Sequence, residues 1–382
     1  MKDFTNIFSN KTHLNTWYRK IFKSRKKPLM KDNNLTIKFS NEDNHHINLN
    51  IKNGGCIGIV SKGIKEIPNL QSFFNKKLEF NPYENLKKLE YIAGWGQKPS
   101  AARALKISKR HDIPYLALED GFLRSIGLGL EGYPPLSICV DDVGIYYDST
   151  RPSRLENILN SHGWEHDQLL KNAESAIDLI KKYKLSKYNH APIVNQNNFN
   201  NNGNKNVLIV DQTLGDMSIS LGLASEASFI NMYKKAMEDN PYADIYVKIH
   251  PDVILGKKEG CLNPKILSGK VHLINGDCNP LSLLEHMDKV YVVTSQLGFE
   301  ALLLEKEVHC FGMPFYAGWG ITNDELLLNR RQKTRTVTEV FAAAYLLYPR
   351  YVDPLSGLPG NIFDVINYLA ANRIEKATQE NF

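Results

Sequence analysis

Long apolar runs are missing from this chain. No stretch of about 18 uninterrupted apolar residues occurs, and the segment after Met1 is polar and basic where a secretory leader needs an apolar stretch. We therefore expect a cytoplasmic protein without a membrane span or a leader. A length of 382 residues, with 42% hydrophobic and 23% charged residues, suggests two globular domains.

The sequence signatures of several cofactor and metal sites are missing too. There is no P-loop, and no Gly-x-Gly-x-x-Gly pattern follows the first strand of either half, which disfavours nucleoside triphosphatases and nicotinamide dehydrogenases. The five cysteines lie far apart, without a Cys-x-x-Cys pair or a Cys/His cluster, so disulfides and structural zinc are not expected. The pair Asp141-Asp142 is typical of a solvated turn, and we expect neither a metal nor a cofactor.

Strong charge of one sign is also absent. A formal charge of +6 permits an anionic substrate or a membrane surface without requiring either. No nucleic-acid partner is expected, because no RNP, zinc-finger or helix-turn-helix signature accompanies the charge. Basic residues crowd Arg19–Lys27, interleaved with aromatic and aliphatic side chains. This favours an interfacial helix and a peripheral contact with the cytoplasmic face of the inner membrane; a solvated basic N-terminus is the alternative.

Short β-branched or aromatic runs alternate with helical stretches from about residue 56 onward, which is the pattern of a mostly parallel sheet covered by helices. We predict an α/β protein with two Rossmann-like domains, 51–194 and 207–350, that face a central cleft. A basic extension at 1–50, a polar linker at 195–206 and a helical segment at 351–382 complete the chain. The predicted strands are Cys56–Val60, Tyr91–Ala93, Tyr115–Leu118, Ser137–Val140, Ile145–Tyr147, Val207–Asp211, Ile245–Ile249, Val271–Ile274, Val290–Val293 and Val308–Phe311.

Two adjacent carboxylates, Glu119 and Asp120, stand at the end of the predicted strand Tyr115–Leu118. Side chains alternate along an extended chain, so one carboxylate should face the cleft while the other braces the turn. A carboxyl group near an apolar wall has a raised pKa and suits general acid/base catalysis. An ordinary Glu-Asp-Gly turn without a catalytic role is the alternative.

A second pair, Asp211 and Asp216, lies in the loop that follows the predicted strand Val207–Asp211. Gly215 permits a sharp turn, so the loop can aim both carboxylates at the cleft. The alternative is that Asp216 or Ser218 caps the helix that begins near Leu221.

Phosphate-binding groups follow two further predicted strands. His250-Pro251-Asp252 follows Ile245–Ile249, and Thr294-Ser295 opens an apolar helix after Val290–Val293. Hydroxyl groups and unsatisfied backbone N–H groups at the start of a helix favour an anion. A helix cap without a ligand is the alternative for Thr294-Ser295.

The tetrapeptide Ala-Gly-Trp-Gly occurs twice, at Ala93–Gly96 and Ala317–Gly320, once in each predicted domain. Glycines on both sides of a tryptophan favour a tight loop that aims a large flat side chain at a ligand or partner. The alternative is that each tryptophan fills a domain core.

Motifs along most of the chain carry a family resemblance: Gly94–Ser100, Leu118–Ser125, Asp141–Asp148, Thr150–Arg154, Asp211–Thr213, Asp216, His250–Asp252, Gly256–Lys258, Thr294–Leu302 and Gly312–Gly320. In order and density they resemble the capsule polysaccharide β-Kdo transferases of the KpsC type. The resemblance implies a GT-B-like fold and a place among capsule biosynthesis proteins. It further implies transfer of Kdo from CMP-Kdo onto a lipid-linked acceptor built on phosphatidylglycerol, with retention of the β configuration.

The resemblance also implies roles for individual residues. Asp216 would be the nucleophile and Glu119, or else Asp120, the acid/base group, because net retention is most simply explained by two displacements through a glycosyl-enzyme. On the donor side, His250, Thr294 and Ser295 would bind the CMP phosphate and Glu300 the ribose or a neighbouring loop. The remaining donor-side residues are Pro251, Gln212, Lys248, Gln296 and Gly298. On the sugar and acceptor side stand Gly94, Trp95 and Lys98, with Arg124, Arg151 and Lys248 as alternatives for the Kdo carboxylate.

Two other functions stay open from the sequence. One is a transferase for a different CMP-activated acidic sugar, such as a sialic acid. The other is a non-catalytic capsule-assembly scaffold that binds lipid through Lys20–Lys27, against which the cleft carboxylates argue. A single module implies a single linkage, and the sequence does not decide between the 2→4 and 2→7 positions.

Overall fold

The computed structural model describes residues 55–194, 199, 203–249, 253, 258–262, 267 and 271–379. The predicted extension at 1–50, most of the linker and the His250-Pro251-Asp252 motif lie outside these described residues. No helix within the described ranges combines the length and hydropathy needed to cross a lipid bilayer. The α-helices are α1 (Lys62–Lys65), α2 (Ala102–His111), α3 (Arg154–Asn160), α4 (Asp167–Tyr183), α5 (Met217–Leu221), α6 (Glu226–Asp239), α7 (Pro280–Leu284), α8 (Leu297–Leu303), α9 (Val337–Phe341) and α10 (Ile362–Gln379).

The first sheet combines parallel and antiparallel strands. Its strands are β1 (Cys56–Ile59), β2 (Leu78–Phe80), β3 (Leu89–Trp95), β4 (Tyr115–Asp120), β5 (Ser137–Asp141), β12 (Pro349–Val352) and β13 (Pro359–Gly360), in the order β13-β12-β5-β4-β3-β1-β2. The strands from β2 to β4 pair in parallel, whereas β4 with β5, β5 with β12 and β12 with β13 are antiparallel. The expectation of a mostly parallel sheet therefore needs correction for this half.

The second sheet is parallel throughout. It contains β6 (Asn206–Val210), β7 (Asp244–Lys248), β8 (Val271–Ile274), β9 (Lys289–Val292), β10 (Glu307–Cys310) and β11 (Asn323–Asp324), in the order β11-β10-β9-β6-β7-β8. After this sheet the chain returns to the first one, because β12 pairs with β5. The boundary predicted between residues 350 and 351 falls inside β12. The predicted architecture of two Rossmann-like halves is confirmed.

One predicted strand, Ile145–Tyr147, is wrong. Oδ1 of Asp141 accepts the N–H groups of Val143 and Gly144, each at 2.8 Å, and so turns the chain away from the sheet. A second turn follows, in which the N–H of Asp148 donates to the carbonyl of Ile145 at 2.9 Å. Side-chain bonds of this kind compete with strand pairing even where the residues themselves favour strands.

Helix α4 shows how the sequence pattern builds the junction between the halves. Its buried residues Leu169, Ala173, Ala176 and Ile180 lie three or four positions apart and form one apolar stripe. Nδ1 of His166 caps the helix by accepting the N–H of Leu169 at 3.2 Å. The helix packs against α9 and α10, which follow the second sheet.

Apolar and polar contacts join the two halves. Phe122 of the first half stacks on Tyr345 with ring centroids 5.0 Å apart. The N–H of Ser149 donates to the carbonyl of Leu221 at 2.8 Å, and its Oγ donates to the carbonyl of Met313 at 2.6 Å. Phe122, Leu221 and Met313 follow the carboxyl ends of β4, β6 and β10, and ligands bind at the carboxyl ends of strands in open α/β folds.

Candidate functional site

Glu119 is the best-organised carboxylate at this junction. The residue is 4% exposed and stands near the end of β4. Its Oε1 accepts a hydrogen bond from the indole Nε1 of Trp95 and another from Nζ of Lys98, each at 3.1 Å. Its Oε2 has no hydrogen-bond partner among the described residues. A buried oxygen left without a partner is costly, so Oε2 is the atom that gains most from a donor on a ligand.

Tyr147 stands beside this open oxygen. Gly96 has a φ of 52°, and a Cβ added there would lie 2.1 Å from Oη of Tyr147 and 3.2 Å from Oε2 of Glu119. The phenol and the carboxylate therefore flank the same point, which only a glycine leaves open. Sequence reasoning missed Tyr147 because the residue was assigned to a strand.

Charged groups from both halves act on the phenol of Tyr147. Burial raises the pKa of Tyr147, and the charges of Glu119, Asp148 and Asp216 add to the effect. The phenol thus stays protonated and remains a hydrogen-bond donor near neutral pH. The charges of Glu119 and Asp216, one from each half, therefore both act on this phenol.

Arg151 is linked to this site through Asp148. Its Nε donates to Oδ2 of Asp148 at 2.8 Å, and Nε2 of Gln97 donates to the same oxygen. Burial alone would raise the pKa of Asp148, but hydrogen bonds from Thr150 and Arg151 outweigh it and lower the pKa. About half of the Arg151 side chain, 54%, is exposed, so its outer N–H groups face solvent.

Asp120 has different partners from Glu119, as the alternation along a strand predicts. Its Oδ1 forms an ion pair with Nε of Arg124 at 2.7 Å. Nη1 of Arg124 donates to Oγ of Ser125 at 2.9 Å and to the carbonyl of Tyr133 at 2.8 Å. Arg124 is buried and its guanidinium is engaged within the fold. Arg124 stabilises Asp120 through this ion pair, and its Nε and Nη1 are not free to bind a substrate carboxylate.

On the donor side, Gln212 and Thr294 hold each other across the ends of β6 and β9. Oε1 of Gln212 accepts the N–H of Thr294 at 3.0 Å, and Nε2 of Gln212 donates to Oγ1 of Thr294 at 3.0 Å. Oγ of Ser218 lies 3.2 Å from Oγ1 of Thr294. Ser218, considered from the sequence only as a helix cap, is thus part of a hydroxyl and amide cluster suited to an oxyanion.

The two carboxylates of the 211–216 loop differ in environment. Asp216 is exposed and caps α5, its Oδ1 accepting the N–H of Ser218 at 2.9 Å; the capped helix begins at Met217 and ends at Leu221, earlier than the predicted start near Leu221. Asp211 is buried, and its Oδ1 accepts the N–H of Leu262 at 2.9 Å. Burial raises the pKa of Asp211 to about 6. Asp211 braces the loop, while Asp216 is accessible to a ligand.

Glu300 contacts a neighbouring segment. Its Oε1 accepts Oγ–H of Ser186 at 2.7 Å and Nε2–H of Gln296 at 3.2 Å. Nε2 of Gln296 also donates to the carbonyl of Phe122 at 3.2 Å, which links the halves. Burial raises the pKa of Glu300 to about 7. Glu300 thus contacts the segment that carries Ser186, and its predicted contact with the ribose stays a prediction.

The other predicted donor-side residues have structural contacts of their own. Oγ of Ser295 accepts the N–H of Leu297 at 3.3 Å. Gly298 lies against Tyr316, since a Cβ there would be 2.2 Å from the phenol oxygen. Nζ of Lys248 lies 3.5 Å from Sγ of Cys278, on the second sheet.

The two Ala-Gly-Trp-Gly copies serve different purposes. Trp95 is partly exposed and donates to Glu119, whereas Trp319 is fully buried and its Nε1 donates to the carbonyl of Phe315 at 2.9 Å. The core-filling alternative is correct for the second copy, whereas Trp95 packs at the edge of the first core and also donates to Glu119. Gly94, in the first copy, packs against the phenol of Tyr115.

The Asp141-Asp142 pair is not a solvated turn. Oδ2 of Asp141, a buried residue, accepts Oη–H of Tyr348 at 2.8 Å, and Asp142 pairs with Arg154. Within the described residues, no three His, Cys, Asp or Glu side chains are arranged to hold a metal ion.

Comparison with known proteins finds one family and two solved structures that cover most of this chain. Residues 90–351 match the family described as "Capsule polysaccharide biosynthesis protein". The solved structure of the KpsC β-Kdo 2,4 transferase of Thermosulfurimonas dismutans is 52% identical, with a TM-score of 0.79 over 83% of this chain and 98% of that chain. The β-Kdo 2,7 transferase of the same organism is 28% identical, with a TM-score of 0.61 over 83% of this chain and 99% of that one.

A curated relative is longer than this chain. The capsule polysaccharide modification protein LipA of Neisseria meningitidis is 47% identical over 320 residues, which is 82% of this chain and 45% of the relative. The chain therefore spans about half the length of the relative it matches. The KpsC-type resemblance predicted from the motifs is confirmed.

Proposed function

Because this chain belongs to the capsule polysaccharide biosynthesis family, we propose that it is a β-Kdo transferase that forms a 2→4 linkage. Identity supports the linkage, since this chain is 52% identical to the 2,4 transferase and 28% identical to the 2,7 transferase over the same 83% of its length. The proposed donor is CMP-Kdo, and the proposed acceptor is a Kdo-terminated lipid of the capsule linker.

The first chemical step is assigned to Asp216. Its carboxylate attacks the anomeric carbon of Kdo, the bond from that carbon to the phosphate oxygen breaks, and CMP leaves with the electron pair. The product is a glycosyl ester on Asp216 with inverted configuration. The exposure of Asp216 supports this role, because the nucleophile must reach the sugar from the face opposite CMP.

The second step is assigned to Glu119. The acceptor hydroxyl attacks the same carbon, its proton moves to Oε2 of Glu119, and the carboxylate of Asp216 is released, so the two inversions give net retention. Trp95 and Lys98 hold Oε1 and leave Oε2 open for that proton. The buried Oε2 of Glu119, which has no hydrogen-bond partner among the described residues, is the observation that carries the proposal.

Donor binding is assigned to the cluster of Gln212, Ser218 and Thr294. Its hydroxyl and amide groups suit the CMP phosphate, with His250 as a further donor from outside the described residues. These groups supply the phosphate contacts without a cation, so we expect transfer to continue in the presence of EDTA.

The test measures CMP release and Kdo transfer to a synthetic β-Kdo acceptor. Glu119→Gln and Asp216→Asn should each lower kcat by about a hundredfold or more, the usual scale for losing an acid/base or nucleophilic group. Glu174→Gln and Asp178→Asn make the same changes at exposed positions on α4 and should leave kcat unchanged. A wild-type rate for either site variant would overturn the assignment.

A further inference from the structure

Lys187 lies on the segment that follows α4 and is fixed from both halves. Its carbonyl accepts the N–H groups of Arg124 at 3.1 Å and of Ser125 at 3.3 Å. Its own N–H donates to the buried carboxylate of Glu300 in the second half. The backbone of Lys187 is therefore anchored at the point where the halves meet, directly beside the turn that follows Glu119 and Asp120.

The side chain of Lys187 is partly buried, and its ammonium lies near an aromatic ring. Its Nζ lies 6.0 Å from the centroid of the Tyr188 ring, which also carries the guanidinium of Arg124 at 5.9 Å. Within the described part of the chain, Nζ makes no hydrogen bond or ion pair. An ammonium group has three donors, and burying it without an acceptor is unfavourable.

Nearby carboxylates keep this ammonium charged. Burial alone would lower the pKa of Lys187, but the charges of Asp120, Tyr188 and Glu119 raise it above its ordinary value. Among the described residues, neither Asp120 nor Glu119 forms an ion pair with Lys187. A charged, partly buried donor group with unused hydrogen bonds is suited to an anionic group on a ligand.

We propose that the ammonium of Lys187 binds the carboxylate of the sugar that is transferred, an inference that rests on the function proposed above. The nucleotide phosphate has its own cluster at the ends of β6 and β9, whereas Lys187 is attached to the end of β4, which carries Glu119. If the phosphate binds at that cluster and Glu119 serves the acceptor, the transferred sugar lies between them, and its carboxylate is the anion that we expect beside Lys187. This replaces the sequence-based assignment to Arg124, whose guanidinium is already engaged.

The test distinguishes binding of the sugar carboxylate from binding of the nucleotide phosphate. Lys187→Met should raise KM for CMP-Kdo about tenfold or more, because a hydrogen bond to a charged group is lost. The Kd for CMP, which has the phosphate and no sugar carboxylate, should stay within about twofold by isothermal titration calorimetry. Lys187→Arg should recover part of the CMP-Kdo affinity. Lys182→Met is the matched control, since Nζ of Lys182 also lies over a tyrosine ring, at 5.2 Å from Tyr183, but is exposed.

Each outcome either supports or overturns the assignment of Lys187 to the sugar carboxylate. An unchanged KM for CMP-Kdo in Lys187→Met overturns the inference, and an equal loss of CMP affinity assigns Lys187 to the phosphate instead. If Lys187→Met does not fold, failure of Lys187→Gln to raise KM overturns it in the same way. A wild-type protein that binds neither CMP nor CMP-Kdo removes the proposed function itself, which distinguishes that failure from a failure of the Lys187 assignment.

Discussion

The indole N–H of Trp95 donates to Oε1 of Glu119 at 3.1 Å. This bond fixes which oxygen of Glu119 is satisfied and which is open. It also separates two tryptophans that share the same four-residue context, because Trp319 is buried in the core and its indole N–H donates to a backbone carbonyl. The pair offers a direct comparison of a tryptophan that we assign to the site and a tryptophan that fills the core.

Trp95→Phe should lower kcat about tenfold while leaving the melting temperature nearly unchanged. The phenyl ring keeps the partly exposed packing but removes a donor to a charged oxygen, a bond worth about 1.5–3 kcal/mol. Trp319→Phe should do the reverse, because it leaves a cavity and an unpaired carbonyl in the core and lowers stability by roughly 1–3 kcal/mol. Steady-state kinetics and thermal unfolding of both variants measure this, and similar effects of the two changes on activity would contradict it.

Gly96→Ala should nearly abolish transfer. At a φ of 52° its Cβ would meet the phenol oxygen of Tyr147 at 2.1 Å, displacing the group beside Oε2 of Glu119. Gly132→Ala is the matched control, because Gly132 has a φ of 89° and open space around its Cβ position. Both variants incur backbone strain of roughly 1–2 kcal/mol, but only Gly96→Ala should lose activity. Equal activity of the two variants would show that the contact with Tyr147 does not matter.

The local sequence pattern predicts most of the sheet strands, and contacts between distant residues explain the strands that it misses. The strands at Val207–Asp211 and Ile245–Ile249 are found within one residue of their predicted bounds, since β-branched runs between turns suit buried parallel strands. Strand β12 was missed because it pairs with β5, more than two hundred residues earlier in the chain. No local pattern encodes a partner so distant.

The residues of the candidate site divide in the same way, into those that the local sequence predicts and those that only tertiary contacts place. Carboxylates at strand ends, such as Glu119 and Asp216, stand out by position, because the carboxyl ends of strands line the cleft in α/β folds. Lys187 has no such signal, since its role depends on contacts with Arg124 and Glu300 that come from distant parts of the chain. The turn that places Tyr147 is likewise set by the side chain of Asp141 and by packing, which a strand-like sequence conceals.

Glu300 should make stability depend on pH. Burial raises its pKa to about 7 from the ordinary 4.5, so the folded state holds the proton more tightly than the unfolded state. Its contribution to stability is full below about pH 4.5 and is lost as the pH rises through about 7.

Glu300→Gln removes this titration and keeps an oxygen that can accept from Ser186. The free energy of unfolding of the variant, relative to wild type, should therefore rise by on the order of 3 kcal/mol from about pH 4 to about pH 8. Urea denaturation across this range measures the difference, with exposed Glu174→Gln as the control expected to show no trend. A flat difference for Glu300→Gln would mean that Glu300 titrates normally.

The most direct measurement is an NMR spectrum of the product formed from CMP-Kdo and a synthetic lipid acceptor that ends in β-Kdo. We expect one added Kdo residue, β-configured at its anomeric carbon and attached to the 4-hydroxyl of the acceptor sugar. An α-configured product, or transfer only from CMP-sialic acid in a parallel reaction, would contradict it.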